Sequence, residues 1–397
     1  MVAPERNRTV RIGAHGAHLT YCSNIHPGES WAEVRANLER YFPAVRERVA
    51  PGAPFGIGLR LSARAARELG AAGALTGFRD WLAREQLYVF TINGFPYGHF
   101  HGKRVKEQVF QPDWSTSARV EYTQALFEII ADLVPPGVSG SVSTVPGSHK
   151  ELIRDAKHEA DILKNVSETG DWIARLSDAR GVDLHLGLEP EPLGYIENTP
   201  ETLAFFEKLG RSESVQRCLG VNYDTCHLAI EYEEPQVALK QLREAGIRLS
   251  KLHLSSALRL RPEREALDRL RVFQEDVYFH QVIVRRDDGS LHRHRDLPEA
   301  LAAAALKKPG SDDEWRVHFH IPLHAAPDEM FQNTSDHLTG ALDVLAEQPA
   351  LCQHLEMETY TWEVLPGEMR AACVEDQLER EYAWTLAELE KRGLKLK

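Results

Sequence analysis

The chain has 397 residues, of which 43% are hydrophobic, and it carries a formal net charge of −12 at pH 7. This length supplies enough apolar material for one large α/β barrel or for two ordinary domains. The acidic balance argues against nucleic acid as a partner, because binding a phosphate backbone requires an excess of cations.

The sequence gives no indication of export or of membrane insertion. Residues 1–9 are polar and charged, and no run approaches the roughly 18 apolar residues that a membrane helix requires. The five cysteines have no CxxC spacing, which favours reduced thiols over a disulfide framework. We therefore expect a cytoplasmic protein.

Short apolar runs alternate with amphipathic segments along the whole chain. The apolar runs predict eight β-strands. In chain order they are His18–Cys22, Phe55–Leu61, Leu87–Ile92, Val138–Val142, Leu184–Leu188, Leu219–Tyr223, Arg248–Leu254 and Gln353–Glu358.

The amphipathic segments predict helices between these strands. Ser30 and Glu33 have the spacing of a capping box, and Thr199 is predicted as the N-cap before Pro200. The predicted helices are Ser30–Val49, Ser62–Glu85, Ser117–Leu133, Lys150–Ala179, Pro200–Leu209, Pro235–Ala245, Ser335–Glu347 and Pro366–Arg392.

Eight strands, each followed by a helix, indicate a parallel sheet, and eight strands can close into a β/α barrel. A doubly wound open sheet is the alternative, but no GxGxxG sequence follows the first strand. We predict an α/β protein whose residues 1–397 form one (β/α)8 TIM-barrel domain. The C-terminal ends of its strands would converge on one mouth.

The interval between the seventh and eighth strands is much longer than one helix. It predicts a β-hairpin, with strands at Val277–Arg285 and Ser290–Arg295 around the turn at 287–289, and a further strand at Trp315–His320. We expect residues 255–350 to form an insertion over the barrel mouth, where long loops carry specificity.

Four consecutive strand ends carry residues that can bind a metal. Glu189, Asp224, His253 and Glu358 each lie at or just after the end of an apolar run. Rigid strand ends hold such ligands at fixed distances around an ion. Three carboxylates and one imidazole suit Mn²⁺, Mg²⁺, Co²⁺ or Zn²⁺, so the sequence predicts a divalent metal without choosing among these ions.

Each of these residues also has a structural interpretation. Glu189 could simply accept hydrogen bonds from a neighbouring loop, and His253 could be a satisfied core histidine. Glu356 lies two residues before Glu358 on the same face of the strand, so it is an alternative ligand or a substrate contact. His227 follows Asp224 by three residues and could bind a second ion or orient a carboxylate.

His318 and His320 form an HxH pair within a predicted strand. This spacing directs both imidazoles to the same face of an extended chain. The pair is therefore a candidate for a second metal or for substrate, although an isolated HxH is only a moderate signal.

The strand-end motifs resemble those of the xylose isomerase-like barrel superfamily, which includes sugar phosphate isomerases and epimerases and endonuclease IV. The residues that carry the resemblance are Glu189, Asp224-Thr225-Cys226-His227, His253, His318-Phe319-His320 and Glu358-Thr359.

The superfamily resemblance implies roles for individual residues. Glu189, Asp224, His253 and Glu358 look like the one-metal set of the sugar epimerases. His227, His318 and His320 look like the additional ligands of the multi-metal endonuclease. The endonuclease pattern would place histidines at the third and fourth strand ends, which here read Ile92-Asn93-Gly94 and Ser143-Thr144. A full trinuclear site is therefore not expected.

A closer likeness is to the metabolite traffic protein (EboE) family of the ebo gene cluster. It implies a xylose isomerase-like barrel used in making or exporting a secondary metabolite, with other proteins of that cluster as candidate partners. The segments that carry it are residues 19–31, 55–62, 91–98 and 356–362.

Polar and basic residues near the predicted mouth are candidate substrate contacts. A phosphate or carboxylate group on a small-molecule metabolite would suit the cations among them, although a solvated surface loop would look the same. The candidates are His26, Asn93, Tyr97, His99, His101, Lys103, Arg104 and Glu356.

The first functional hypothesis is a metal-dependent isomerase or epimerase that acts on a sugar, polyol or cyclitol, with Glu189 and Glu358 as the paired acid and base. The second is a metal-dependent phosphoester hydrolase that uses a second ion. The third is a binding or escort protein that holds a metabolite without transforming it.

Overall fold

The computed structural model describes residues 11–12, 16–71, 73–102, 105–326, 328, 330–367 and 369–394. Its strands are β1 (Arg11–Ile12), β2 (Ala17–Tyr21), β3 (Phe55–Arg60), β4 (Leu87–Asn93), β5 (Gly140–Thr144), β6 (Leu184–Leu188), β7 (Leu219–Asp224), β8 (Arg248–Leu254), β9 (Ala257–Leu260), β10 (Val282–Arg285), β11 (Leu291–His294), β12 (Glu314–His320), β13 (Phe331–Asn333) and β14 (His354–Met357).

The α-helices are α1 (Trp31–Val49), α2 (Ala63–Leu69), α3 (Ala74–Arg84), α4 (Ser117–Leu133), α5 (Ala156–Arg180), α6 (Thr199–Leu209), α7 (Glu213–Cys218), α8 (Thr225–Ile230), α9 (Pro235–Glu244), α10 (Arg264–Leu270), α11 (Leu297–Leu306), α12 (Ser335–Glu347) and α13 (Val374–Lys391). Short 3₁₀ helices lie at Ser23–Ile25, Lys106–Phe110, Lys150–Leu152, Arg271–Phe273 and Tyr360–Val364.

Eight parallel strands form a nearly closed barrel in the order β2-β14-β8-β7-β6-β5-β4-β3. Their side chains are almost all buried because one face fills the barrel and the other packs against the helices. The fold class predicted from the sequence, an α/β TIM barrel, is confirmed.

The barrel closes between β2 and β3 through a side chain as well as through backbone. A parallel bridge joins Cys22 and Gly58. The Thr20 hydroxyl donates to the Gly56 carbonyl at 2.8 Å and accepts from the Gly58 N–H at 2.9 Å. One hydroxyl therefore satisfies backbone groups that would otherwise be buried without partners at the seam.

Between β8 and β14 the chain builds a second, five-stranded sheet in the order β11-β10-β12-β9-β13. Strands β10 and β11 are an antiparallel pair, and β12 pairs with β10 and with β9. This sheet has its own apolar core, which includes Leu258, Trp315 and Phe319. It places β12 beside α8, which begins at the mouth of the barrel.

Four predicted helix boundaries were wrong. The predicted helix Lys150–Ala179 begins at Ala156 and ends at Arg180, after a short 3₁₀ helix at Lys150–Leu152. The Ser62–Glu85 segment forms two helices, α2 and α3, rather than one. Asn198, not Thr199, caps α6, because the Asn198 side chain accepts from the Glu201 N–H at 3.1 Å while Thr199 is occupied with Glu233. The last helix begins at Val374 instead of Pro366.

The described helices include none with the length and apolarity needed to cross a bilayer. All five cysteines are free thiols, and four of them are buried.

Substitutions at two glycines distinguish the effect of barrel packing on stability from the effect of helix propensity. A Cβ on Gly220 in β7 would lie 2.2 Å from the Arg248 carbonyl oxygen, whereas a Cβ on Gly77 in α3 would meet no atom within 4 Å. We expect Gly220→Ala to lower the free energy of unfolding by roughly 1–3 kcal/mol and Gly77→Ala to raise it by about 0.5–1 kcal/mol. Urea unfolding measures both, and equal effects would contradict the packing described for β7.

Candidate metal centre and cavity

The mouth of the barrel gathers four buried ligand residues from four strand ends. Glu189 follows β6, Asp224 ends β7, His253 lies in β8 and Glu358 follows β14. One ligand atom from each lies within 4.8 Å of the others. The strands β6, β7, β8 and β14 are successive neighbours in the sheet, so the barrel itself sets this spacing.

His253 lies at the centre of the set. Its Nδ1 is 3.0 Å from Glu189 Oε1, 3.1 Å from Glu358 Oε2 and 3.4 Å from Asp224 Oδ2. Its Nε2 is 2.7 Å from Glu356 Oε2, to which it donates. A carboxylate on the far nitrogen fixes the orientation of an imidazole and is the usual support of a metal-binding histidine.

Two of the carboxylates have one oxygen held and the other directed into the set. Asp224 Oδ1 accepts from the Cys226 N–H at 2.7 Å and from the Ser255 hydroxyl at 2.6 Å. Glu358 Oε1 accepts from the side-chain amides of Asn24 and Asn93 at 2.8 and 3.0 Å. These contacts fix both carboxylates without using the oxygens that face His253.

The donor set fits a divalent cation. Glu189 Oε2 and Asp224 Oδ2 are buried, and neither has a hydrogen-bond partner among the described residues. Buried carboxylate oxygens without donors are costly unless a cation or proton compensates them. Three carboxylates and one imidazole at this spacing are a hard-to-intermediate ligand set that suits Mn²⁺, Co²⁺, Zn²⁺ or Mg²⁺.

The same negative charge shifts neighbouring pKa values. Burial alone would lower the pKa of His227, but Asp224 and Glu191 raise it to about 9. Burial, reinforced by Glu189, raises the pKa of Glu191 to about 8. Burial likewise opposes the charged form of His253, yet Glu358 and Glu189 raise its pKa well above the ordinary value. The surroundings therefore favour positive charge at this place.

A second group of possible ligands lies beside the first. His227, His318 and His320 each direct Nδ1 to a carbonyl oxygen, on Pro190, Gln281 and Glu358 respectively, at 2.7–2.9 Å. In the neutral form of each ring, donation from Nδ1 leaves the lone pair on Nε2, where it can bind a metal.

The Nε2 atom of His227 lies near two carboxylates, whereas the Nε2 atoms of His318 and His320 face each other. His227 Nε2 is 3.3 Å from Glu191 Oε2 and 3.9 Å from Asp224 Oδ2, and His318 Nε2 is 3.2 Å from His320 Nε2. Possible ligand sets here are Glu191 with His227 and His318, and Asp224 with His227 and His320. Asp224 thus lies between the two groups.

A cavity opens above these residues. Glu189, Glu191, His227, His318 and Glu358 line its floor, together with the amides of Asn24, Asn93 and Gln281. Its walls are mostly apolar and include Phe95, Pro96, Phe100, Val105, Val109, Phe110, Tyr278, Phe279 and Tyr360.

Among the predicted substrate contacts, Asn93 lines the cavity, whereas four rim residues do not. His26 stacks on Tyr41 with ring centroids 4.1 Å apart. Tyr97 packs edge-on against Tyr122, and His99 is exposed. His101 lies behind the wall, where its Nδ1 bonds the Tyr278 hydroxyl at 2.8 Å. The predicted contacts Lys103 and Arg104 lie outside the described residues.

Glu356 does not reach the cavity either, because it is sealed beneath the ligand set. It has no exposed surface, and its Oε2 bonds both His253 and Lys251, the latter at 2.6 Å. Lys251 is equally buried and also donates to the Ser143 hydroxyl at 3.0 Å. The geometry therefore places Glu358 in the ligand set and Glu356 behind it.

Sequence reasoning missed two groups of site residues. Glu191 follows Glu189 in an alternating Glu-Pro-Glu-Pro segment, and Lys251 precedes His253 by two residues on the same face of β8. A spacing of two residues from Glu189 or from His253 could have identified Glu191 and Lys251. The aromatic walls carried no such signal, because they come from loops on three separate parts of the chain.

Comparison with known proteins adds evidence on the fold. No family model and no curated protein matches the chain. Among solved structures, the IOLI protein with a bound zinc atom is similar, with a TM-score of 0.50 and 13% identity over 94% of this chain and 99% of that one. A proposed sugar phosphate isomerase/epimerase from Anabaena variabilis has a TM-score of 0.51 and 11% identity over 95% and 99%. The chain shares the TIM-barrel fold with these structures.

The pair of Lys251 and Glu356 gives a stability prediction. Lys251→Met leaves a buried carboxylate without its cation, so we expect a loss of roughly 3–5 kcal/mol in the free energy of unfolding. The double variant Lys251→Met/Glu356→Gln removes both charges and should recover much of that loss. Denaturant unfolding of the metal-free chain measures this, and strictly additive losses would contradict the coupling.

Metal binding should stabilise the fold. We expect Mn²⁺ or Zn²⁺ at 100 times its Kd to add about 2.7 kcal/mol to the stability, and EDTA to reverse the rise in Tm. Glu358→Gln should remove most of this rise. Glu347→Gln, at an exposed helix end, is the matched control and should keep it. An unchanged metal response in Glu358→Gln would exclude that carboxylate as a ligand.

Proposed function

We propose that the protein is a metal-dependent isomerase or epimerase that acts on a sugar, polyol or cyclitol-type metabolite. One observation carries the proposal. Glu189 and Glu358 come from strand ends separated by β7 and β8, line the same cavity, and lie 3.0 and 3.1 Å from one imidazole nitrogen of His253. Two carboxylates that reach one place from separate strand ends could serve as the acid and the base of a two-base proton transfer.

Glu189, Asp224, His253 and Glu358 would hold the metal. When bound, such an ion fixes neighbouring substrate oxygens and polarises a carbonyl, which makes the adjacent C–H more acidic. This proposal draws support from the unpartnered oxygens of Glu189 and Asp224. It also agrees with the zinc atom bound in the IOLI structure.

The chain's own residues would supply the proton transfer. Glu189 would remove the proton from one face of the substrate carbon, which leaves a planar intermediate. Glu358 would return a proton to the other face. Asn24 and Asn93 orient Glu358 by donating to its Oε1, and the aromatic walls exclude water from the reacting atoms.

The biological setting is part of the proposal. The sequence resemblance to the ebo-cluster family motivates a role in making or moving a secondary metabolite, with other proteins of that cluster as partners. The proposed isomerase/epimerase activity of the Anabaena protein motivates the reaction class.

Proton exchange tests the reaction. Incubation of the Mn²⁺-loaded protein with a panel of ketoses and keto-cyclitols in D₂O should wash deuterium into one carbon-bound position, detected by NMR or mass spectrometry. Glu189→Gln and Glu358→Gln should each reduce the exchange at least 100-fold, whereas Glu347→Gln should not.

Two outcomes would count against catalysis. The first is no exchange across the panel with metal bound. The second is a producing cell in which the folded Glu189→Gln and Glu358→Gln variants still support metabolite production. The second outcome would favour the escort protein.

A second candidate function is favoured by the convergence of Glu191, His227 and His318. Two neighbouring ions would suit hydrolysis of a phosphoester by a metal-activated water. Elemental analysis of protein saturated with Zn²⁺ separates the candidates. Two ions per chain, with one lost in His227→Ala, would support the hydrolase; a single ion retained in His227→Ala would remove its basis.

A further inference from the structure

The upper part of the cavity differs chemically from its floor. Six aromatic side chains form the walls, and they come from the segment after β4, from the segment between β8 and β10, and from the segment after β14. They are Phe95, Phe100, Phe110, Tyr278, Phe279 and Tyr360.

These rings hold one another in place. The centroids of Phe100, Tyr278 and Tyr360 lie 5.1–5.2 Å apart pairwise, and those of Phe95 and Phe110 lie 5.7 Å apart. All five are less than 10% exposed. Packing of this kind makes the wall a preformed apolar surface rather than a set of loose side chains.

Three polar side chains of the cavity lining already have partners within the protein. Lys106 is paired with Asp296. Gln281 accepts from His318 at 2.7 Å and donates to the Pro192 carbonyl at 3.1 Å, and the Tyr278 hydroxyl bonds His101.

Asn24 Oδ1 is a buried lining atom without a hydrogen-bond partner in the described part of the chain. It belongs to the floor beside Glu358.

A substrate hydroxyl placed against the apolar walls would lose its hydrogen bonds to water, which weakens binding by roughly 5- to 150-fold. A phosphate placed there would need a cation that Asp296 already holds.

We infer that the substrate is amphiphilic: an oxygen-bearing head binds at the carboxylate and imidazole floor, and an alkyl or aryl group lies between the aromatic walls. The head's position rests on the proposed function, whereas the apolar group rests on the walls alone. A free sugar or a sugar phosphate fits these walls less well than a metabolite with an apolar substituent.

A series of hydroxamates with one head and a growing tail tests this inference. Acetohydroxamate, butyrohydroxamate, hexanohydroxamate, octanohydroxamate and benzohydroxamate all bind a divalent metal through the same two oxygens. On Zn²⁺-loaded protein, calorimetry should show Kd falling about fourfold for each buried methylene until the walls are filled. Phosphonoacetohydroxamate should bind more weakly than hexanohydroxamate.

A variant in the aromatic wall tests whether the hydroxamate tail binds against that wall. Phe279 is buried, and the Lys106 ammonium lies 5.7 Å from its ring centre. Phe279→Ala should weaken octanohydroxamate binding about tenfold and leave acetohydroxamate binding unchanged. Leu291→Ala, at a partly exposed position on β11 outside the cavity, is the matched control and should change neither. If Phe279→Ala does not fold, Phe279→Leu and the tail series on the unmodified protein still decide.

The outcomes distinguish this inference from the proposed reaction. A Kd that does not change along the series, or tight binding of phosphonoacetohydroxamate, would overturn the amphiphilic substrate and leave the isomerase proposal standing. A steep dependence on tail length without deuterium exchange in any ketose would support the inference and count against the isomerase. No hydroxamate binding by metal-loaded protein would overturn the inference.

Discussion

Repulsion among buried carboxylates is the constraint around which the mouth of this barrel is organised. Two like charges 4 Å apart repel by about 4 kcal/mol even at an effective dielectric constant of 20, and Glu189, Asp224 and Glu358 share one cluster that is nearly closed to solvent. Hydrogen-bond donors contact the carboxylate oxygens that face away from the cluster, and these contacts keep the side chains together. Backbone N–H groups and Ser255 hold Asp224, and two asparagine amides hold Glu358.

Beneath these residues, a second set of buried side chains also balances negative charge, deeper in the barrel. Glu356 supports His253, and Lys251 neutralises Glu356 with help from Ser143. Each of these residues points into the barrel because it lies on the inward face of a strand, so the polar column replaces part of the apolar filling that a barrel interior usually has. The floor of the cavity is thus rigid before any ligand arrives.

The eight barrel strands were predictable because each is a short apolar run bounded by polar residues, and local pattern alone determines such elements. The convergence of the four candidate ligands was predictable for a similar reason: a carboxylate or imidazole at or near the end of a buried run stands out. Lys251 was hidden because one lysine inside an apolar run looks like an interruption until its partner on β14, over 100 residues later, is known.

The rim was less predictable because loops are positioned by tertiary contacts. His26 and His101 looked like mouth residues, yet one stacks on Tyr41 and the other bonds Tyr278. Lys106 lines the cavity, but its charge is taken by Asp296, which lies 190 residues further along the chain. No local pattern reports such a pairing.

Strands β8 and β14 are hydrogen-bonded neighbours although nearly 100 residues separate them in the chain. The segment that contains the five-stranded sheet therefore leaves and re-enters the barrel between two adjacent strands. The sheet has its own apolar core, and the segment contributes Tyr278, Phe279, Gln281 and His318 to the cavity. The length and sequence of the chain between β8 and β14 can change without disturbing the hydrogen bonds between the barrel strands. Evolution can in this way retune what the protein recognises while the ligand residues on the strand ends remain in place.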